Sequence, residues 1–167
     1  MVRFASIFLA VVIALFALEL TQPVQRSVVI PFTEGVAAVS AGVTKAFDSS
    51  VTSHGNMLMN SRNGFAVSIE AGCNGVEASI LLVAAMLAFR ATWRQRIAGI
   101  LIGVAAIQAL NLVRIVSLFY LGQWSMAVFE WAHLYLWQVL IMLDVLVVWL
   151  LWMRWVSRAP APEASAA

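Results

Sequence analysis

Three side chains in this sequence have a chemistry that packing alone does not require. Cys73, the only cysteine, stands in EAGCNGVE between two glycines and two carboxylates. Arg114 interrupts the apolar run NLVRIVSLF, and His133 lies in FEWAHLYLW. A thiol, an imidazole and a fixed cation are the parts that covalent acyl transfer needs. The thiolate attacks a peptide carbonyl, the imidazole passes protons to the leaving amine and from the incoming nucleophile, and the cation holds the oxyanion. Neither Gly-x-Ser-x-Gly nor His-Glu-x-x-His occurs, so a serine-hydrolase elbow and a zinc-metalloprotease helix have no support.

Each of the three also has a plainer reading. A lone cysteine near lipid is commonly a small packing residue. An arginine in an apolar helix costs several kcal/mol unless it is paired, hydrated or able to snorkel outward, which makes it a functional candidate by default. His133, among Trp131, Tyr135 and Trp137, could belong to an interfacial aromatic belt. Neighbouring residues sharpen the chemical reading. Asn111 and Ser117 lie one turn either side of Arg114, and Glu130 lies three positions before His133, where the two can meet on one helix face. Asn74 followed by Glu77 reads as a helix N-cap with its partner three residues on. Cys73 then lies near the positive end of a helix dipole, which favours a thiolate, although Glu70 and Glu77 oppose it. Gly72 and Gly75 allow backbone or substrate to approach the sulfur.

The elements that must position these residues follow from composition. With 63% hydrophobic and 11% charged residues, the chain has little to offer a soluble surface, and its formal net charge of +2 is too small to imply nucleic acid. The expected fold class is an all-α polytopic membrane protein, because backbone groups in lipid must pair within helices. A single cysteine excludes an internal disulfide, a multi-cysteine metal site and a Cys-x-x-Cys relay. No cofactor or metal is expected. Judged against the ~20 residues that ~30 Å of hydrocarbon requires, four runs can cross a bilayer: Phe4 to Leu20, Val76 to Phe89, Ile97 to Tyr120 and Leu134 to Met153. The first has the arginine and apolar stretch of a signal peptide, but its length and the lack of a small-x-small cleavage pattern near Glu19 favour an uncleaved span. Residues 1–158 read as one membrane domain, and the Pro- and Ala-rich tail, 159–167, as disordered.

Orientation follows from the arginines. Arg3, the cluster Arg90, Arg94 and Arg96, and the pair Arg154 and Arg158 alternate with the four runs, which puts both termini on the cytoplasmic side. The loop Gly122 to Ala132 carries no Lys or Arg. The segment Thr21 to Asn74 is then also outside. Within it Val36, Val39, Val43 and Phe47 recur at helical spacing, as in an amphipathic helix on the outer membrane face or an ordinary packed surface helix. Phe65, Val67 and Ile69 alternate with Ala66, Ser68 and Glu70 after Asn63-Gly64, which predicts a small hairpin leading into Cys73. If the third helix starts near Ile97, Arg114 lies ~25 Å along it, near the outer boundary. Cys73 and His133 begin their helices on the same side, so all three converge on one level. Gly99 and Gly103 form a small-xxx-small pair that lets two helices approach. Asp144 falls ~16 Å deeper than His133, too far for the same site, and is expected to bond a neighbouring helix.

In order and spacing, Cys73-Asn74-Gly75-Val76, then Asn111-Leu112-Val113-Arg114-Ile115, then His133, each at the outward end of a helix, resemble the signature of the exosortase and archaeosortase family, most closely its compact exosortase H branch. The resemblance covers roughly Phe65 to Trp152. It implies a bacterial inner-membrane cysteine transpeptidase, facing the periplasm, with Cys73 as nucleophile, Arg114 orienting or stabilising the scissile carbonyl and His133 as general acid and base. Asn74, Gly75 and Asn111 would be supporting residues. The implied partners are exported precursors ending in a short IPTL-type motif, a membrane helix and a basic tail, together with membrane lipids and an acceptor nucleophile the sequence does not identify. Asn74 replaces the family's usual Ser or Ala, and a glycine often found shortly after the histidine is missing. The rival reading is a non-enzymatic membrane scaffold in which Arg114 and His133 satisfy each other. A transporter is weaker still, since four short spans leave little room for a pathway and no internal repeat occurs.

Overall fold

The computed structural model describes residues 2–158 and is built on five helical segments and one small sheet. The helices are α1 (Val2–Glu19), α2 (Gln22–Lys45), α3 (Val76–Ala88), α4 (Trp93–Trp124) and α5 (Met126–Arg158). The sheet, between α2 and α3, has strands β1 (Val51–His54), β2 (Met57–Asn60) and β3 (Ala66–Ser68). The chain is thus an all-α polytopic membrane protein, with four helices long and apolar enough to cross a bilayer. The tail expected to be disordered lies outside the described residues.

The four long helices are not the four runs read from the sequence. α1, α4 and α5 coincide with three of them, but Val76–Ala88 has only 13 residues, about 20 Å at 1.5 Å per residue. By length its place is taken by Gln22–Lys45. That segment is one continuous helix interrupted by a π turn at Gln25–Val29. Pro23 stands in its first turn, and Pro31 just after the π turn. Pro31 cannot donate to the preceding turn, which is where the regular ladder gives way. In packing, however, α3 is the central helix: it touches α1, α4 and α5, while α2 lies against β1, β2 and α4.

The buried side of α2 is Thr33, Ala37, Ser40, Ala41 and Thr44, whereas Val39, Val43 and Phe47 of the predicted stripe are exposed. The hydroxyls return to their own helix, Thr33 Oγ1 donating to Val29 O at 2.8 Å, Ser40 Oγ to Val36 O at 2.8 Å and Thr44 Oγ1 to Ser40 O at 2.7 Å. Small and self-satisfied residues therefore face the sheet, Val36 packs against the core, and Val39, Val43 and Phe47 face outward as an apolar stripe.

The expected hairpin is present and larger than its signal. β2 and β3 pair antiparallel, Leu58 opposite Val67, and β1 adds a third strand in the order β1-β2-β3. Val51, Leu58 and Ile69 are buried with Ala37, Ala41, Ile115 and Phe119, so sheet, α2 and the last third of α4 share one core. A second core, Ala78, Leu82, Met86, Ile107, Ile141 and Trp152, joins α3, α4 and α5.

The helix starts and joints depart from expectation in three places. α4 begins at Trp93, four residues before Ile97, because Thr92 and Gln95 form a capping box. The loop Gly122 to Ala132 shrinks to the single extended residue Ser125, whose hydroxyl accepts from Val128 N. α3 starts at Val76 with Gly75, not Asn74, as N-cap.

Gly103 is required by packing. A Cβ there would stand 2.5 Å from Leu82 Cδ2 and 3.1 Å from Val148 Cγ1, and one at Gly99 would collide with Trp152. Gly103→Val is accordingly expected to cost about 1–3 kcal/mol through overpacking. Gly42→Ala, where nothing lies within 4 Å, should stabilise by about 0.5–1 kcal/mol because it relieves a mid-helix glycine. Thermal melts of the detergent-solubilised protein should move in opposite directions for the two variants.

Candidate active site

The loop from Glu70 to Gly75 enters α3 through two left-handed residues, Gly72 at φ 81° and Gly75 at φ 79°. Few residues but glycine adopt this conformation without strain, and together the two fold the backbone so that Cys73 stands out of the turn. Cys73 N donates to Glu70 O at 2.9 Å. The loop is fixed on each side. Asn74, 1% exposed, donates through Nδ2 to Thr33 Oγ1 of α2 at 3.1 Å and accepts from Val76 N at 3.0 Å. Gly72 N donates to Glu77 Oε1 at 2.6 Å. The expected Asn74–Glu77 capping pair is thus divided: Asn74 holds the first helical amide and Glu77 reaches past it to Gly72.

α4 and α5 bring the other two residues. Arg114 is buried, 3% exposed, and donates from Nη1 to Gly72 O at 3.2 Å and from Nη2 to Cys73 Sγ at 3.6 Å. Its Nε has no partner. His133 Nε2 lies 4.0 Å from Cys73 Sγ. The imidazole is stacked on Phe129, centroids 5.6 Å apart and planes within 4°, and it stands in a π turn, Ala132–Leu136, that rotates the helix face locally. Three residues separated by up to sixty positions therefore meet at one sulfur.

The supporting residues behave less uniformly. Asn111 is fully buried one turn below Arg114, and neither its Oδ1 nor its Nδ2 has a partner. Ser117 donates to the Arg114 carbonyl, 2.9 Å, rather than to its side chain. Glu130 is exposed, and His133 Nδ1 has no partner, so the Glu130–His133 pair does not form. Asp144 makes no hydrogen bond to the three residues at the sulfur, and its buried Oδ2 has no partner on a neighbouring helix. Gln108, which the sequence did not single out, packs against Gly75 closely enough that a Cβ there would lie 2.6 Å from its Nε2. Its signal was only its spacing, three residues before Asn111 and six before Arg114 on α4.

The electrostatics reverse one expectation. Burial pushes the Cys73 thiol above its ordinary range; Arg114 opposes this, while Glu77 and Glu70 add to it. The dipole of α3 does not deliver a resting thiolate. Burial thus favours the thiol over the thiolate, so acyl transfer at this sulfur would need a base, and His133 Nε2, 4.0 Å away, is placed to be one. A thiolate formed there would sit beside the Arg114 guanidinium, whose Nη2 is 3.6 Å from the sulfur and whose charge could also stabilise a developing oxyanion. Among the described residues no group of three or more His, Cys, Asp or Glu could hold a metal ion.

Because Cys73 is the only thiol, its alkylation reads its ionisation directly. Its rate should rise with pH through a midpoint above that of an ordinary cysteine. Arg114→Gln, which removes the one stabilising cation, should raise the midpoint further. Glu77→Gln, which removes a repelling carboxylate, should lower it. A midpoint unmoved by Arg114→Gln would show that the guanidinium does not act on the sulfur.

Compared with models of protein families, residues 2–150 match the family described as transmembrane exosortase (Exosortase_EpsH). No curated protein and no solved structure matches the chain.

Proposed function

The chain belongs to the transmembrane exosortase family, and from that premise we propose that it is a cysteine transpeptidase or peptidase acting on the C-terminal sorting signals of exported proteins. The family is sorting-related and membrane-bound; the catalytic reading of this chain is carried by one observation. The thiol has a guanidinium 3.6 Å away on one side and an imidazole nitrogen 4.0 Å away on the other. In the proposed reaction His133 Nε2 takes the thiol proton as Cys73 Sγ attacks the scissile carbonyl. Arg114 stabilises the oxyanion. The C–N bond breaks, His133 returns its proton to the leaving amine, and a thioester to Cys73 remains. An acceptor amine, or water, then attacks the thioester and regenerates the thiol.

The substrate signal we propose is a short motif, of IPTL type as in the compact exosortase H branch, followed by a membrane helix and a basic tail. In this reading the enzyme lies in the bacterial inner membrane with both termini cytoplasmic and Cys73 facing the periplasm, the arrangement that the arginine distribution favours. A scaffold in which Arg114 and His133 satisfy each other has no comparable support, since both turn to the sulfur.

Co-expression with a precursor bearing such a three-part C-terminus tests the proposal. Cys73→Ala should abolish processing. Arg114→Ala should slow it by about 10²–10³-fold, the usual effect of losing one oxyanion donor, and His133→Ala by about 10²–10⁴-fold. Processing that persists in Cys73→Ala at normal protein levels would refute the transpeptidase reading. A scaffold would instead change partner abundance without regard to the thiol.

A further inference from the structure

The end of the bundle opposite the thiol contains a cavity of about 530 Å³. Arg3 of α1, Arg90 of the α3–α4 connection and Arg96 of the first turn of α4 all line it, and no carboxylate does. Its remaining wall is apolar, with Phe4, Trp149 and Met153 among its residues. Topology accounts for arginines at one membrane face. It does not account for three of them, from separate segments, gathered around one apolar-walled hollow.

Two lining residues carry donors that the protein itself leaves unused. Arg96 is fixed in place: Nη2 donates to Phe89 O at 2.9 Å, and the guanidinium lies 5.1 Å from the centroid of the Trp93 ring. Its Nε is buried without a partner. Trp149 is packed against Phe4, centroids 6.0 Å apart, and its Nε1 is likewise buried without a partner. Three guanidiniums with no carboxylate in the lining, and two buried donors beside them without partners, suit a ligand that brings several acceptor oxygens and negative charge. A phosphate ester has both. The apolar wall, in a bundle whose outer side chains are themselves apolar, suits a ligand with a hydrocarbon part joined to that phosphate.

We propose that this cavity binds the phosphate headgroup of an acidic glycerophospholipid. Arg3, Arg90 and Arg96 hold the phosphate oxygens, Trp149 Nε1 adds a donor, and the start of an acyl chain runs along Phe4 and Met153. The volume lies within the ~300–1,000 Å³ usual for small-ligand sites. The site fixes the start of α1 to the α3–α4 connection through a lipid, and it does not depend on the proposed catalysis.

Native mass spectrometry of the delipidated full-length protein in neutral detergent, titrated with phosphatidylglycerol, phosphatidylcholine or inorganic phosphate, tests this. Phosphatidylglycerol should bind at least about tenfold more tightly than phosphatidylcholine. The Arg3→Gln/Arg96→Gln variant should weaken phosphatidylglycerol binding by about 10–30-fold, at ~1 kcal/mol for each cation near an anionic lipid. Arg154→Gln/Arg158→Gln, outside the cavity, should change it by less than about twofold. Trp149→Phe keeps the ring and removes only the donor; it should weaken binding by about 3–10-fold even if the double arginine variant does not fold. Equal binding of the two lipids, or equal loss in the Arg154/Arg158 variant, would overturn the site. Inorganic phosphate binding as tightly as phosphatidylglycerol would make the ligand a free anion and overturn the lipid assignment.

Discussion

The structure turns on a buried arginine. Arg114 is 3% exposed in an apolar helix, and its two bonds go to a backbone carbonyl and a sulfur. A guanidinium removed from water without a carboxylate partner is costly, and only a fixed arrangement of dipoles makes it tolerable. The Gly72 carbonyl is the main one, and it points at Arg114 because two left-handed glycines shape the loop and Glu77 pins the Gly72 amide from the other side. The same loop carries Cys73. The cation and the thiol are therefore positioned by one piece of backbone, which makes the sulfur's neighbourhood a consequence of how the charge is accommodated.

The rest of the fold serves that loop. α3 is too short to reach as far as its neighbours, and α4 continues for ten residues beyond Arg114, ending at Trp124. The cysteine end of α3 is thus recessed below the end of α4, and α2 with the three-stranded sheet packs over the space. Thr33 of α2 holds Asn74, and Ile69 at the end of the sheet sits in the same core as Ile115 and Phe119 of α4. The recess explains the raised thiol: burial outweighs the neighbouring cation. In the proposed reaction it also gives His133 its task, since a neutral thiol needs a base where a thiolate would not.

Much of this was legible in the sequence. Hydropathy alone separates α1, α4 and α5, and the alternation after Asn63-Gly64 marks the hairpin. The convergence of Cys73, Arg114 and His133 follows from where apolar runs begin and end. What was not legible depends on backbone detail. The stretch Gln22–Ser27, with Pro23 inside it and Pro31 four residues beyond, reads as the start of an outer segment, yet a π turn carries one helix through it. The π turn that holds His133 has no sequence signal at all. Glu77 three residues after Asn74 looked like a capping partner, but the left-handed Gly75 redirects it to Gly72. At the opposite end, Arg3, Arg90 and Arg96 look like topology signals one by one, and only the packing of α1 on α3 brings them to one cavity.

In the proposed function Cys73, served by His133 and Arg114, forms a covalent bond to a substrate carbonyl. The most direct measurement is mass spectrometry of the enzyme denatured in acid during turnover of a sorting-signal precursor. An adduct on the Cys73 peptide is expected, equal in mass to the precursor's N-terminal fragment less one water, released by neutral hydroxylamine and absent in Cys73→Ser. Turnover without any such adduct when the acceptor is limiting, or an adduct on another residue, would contradict it.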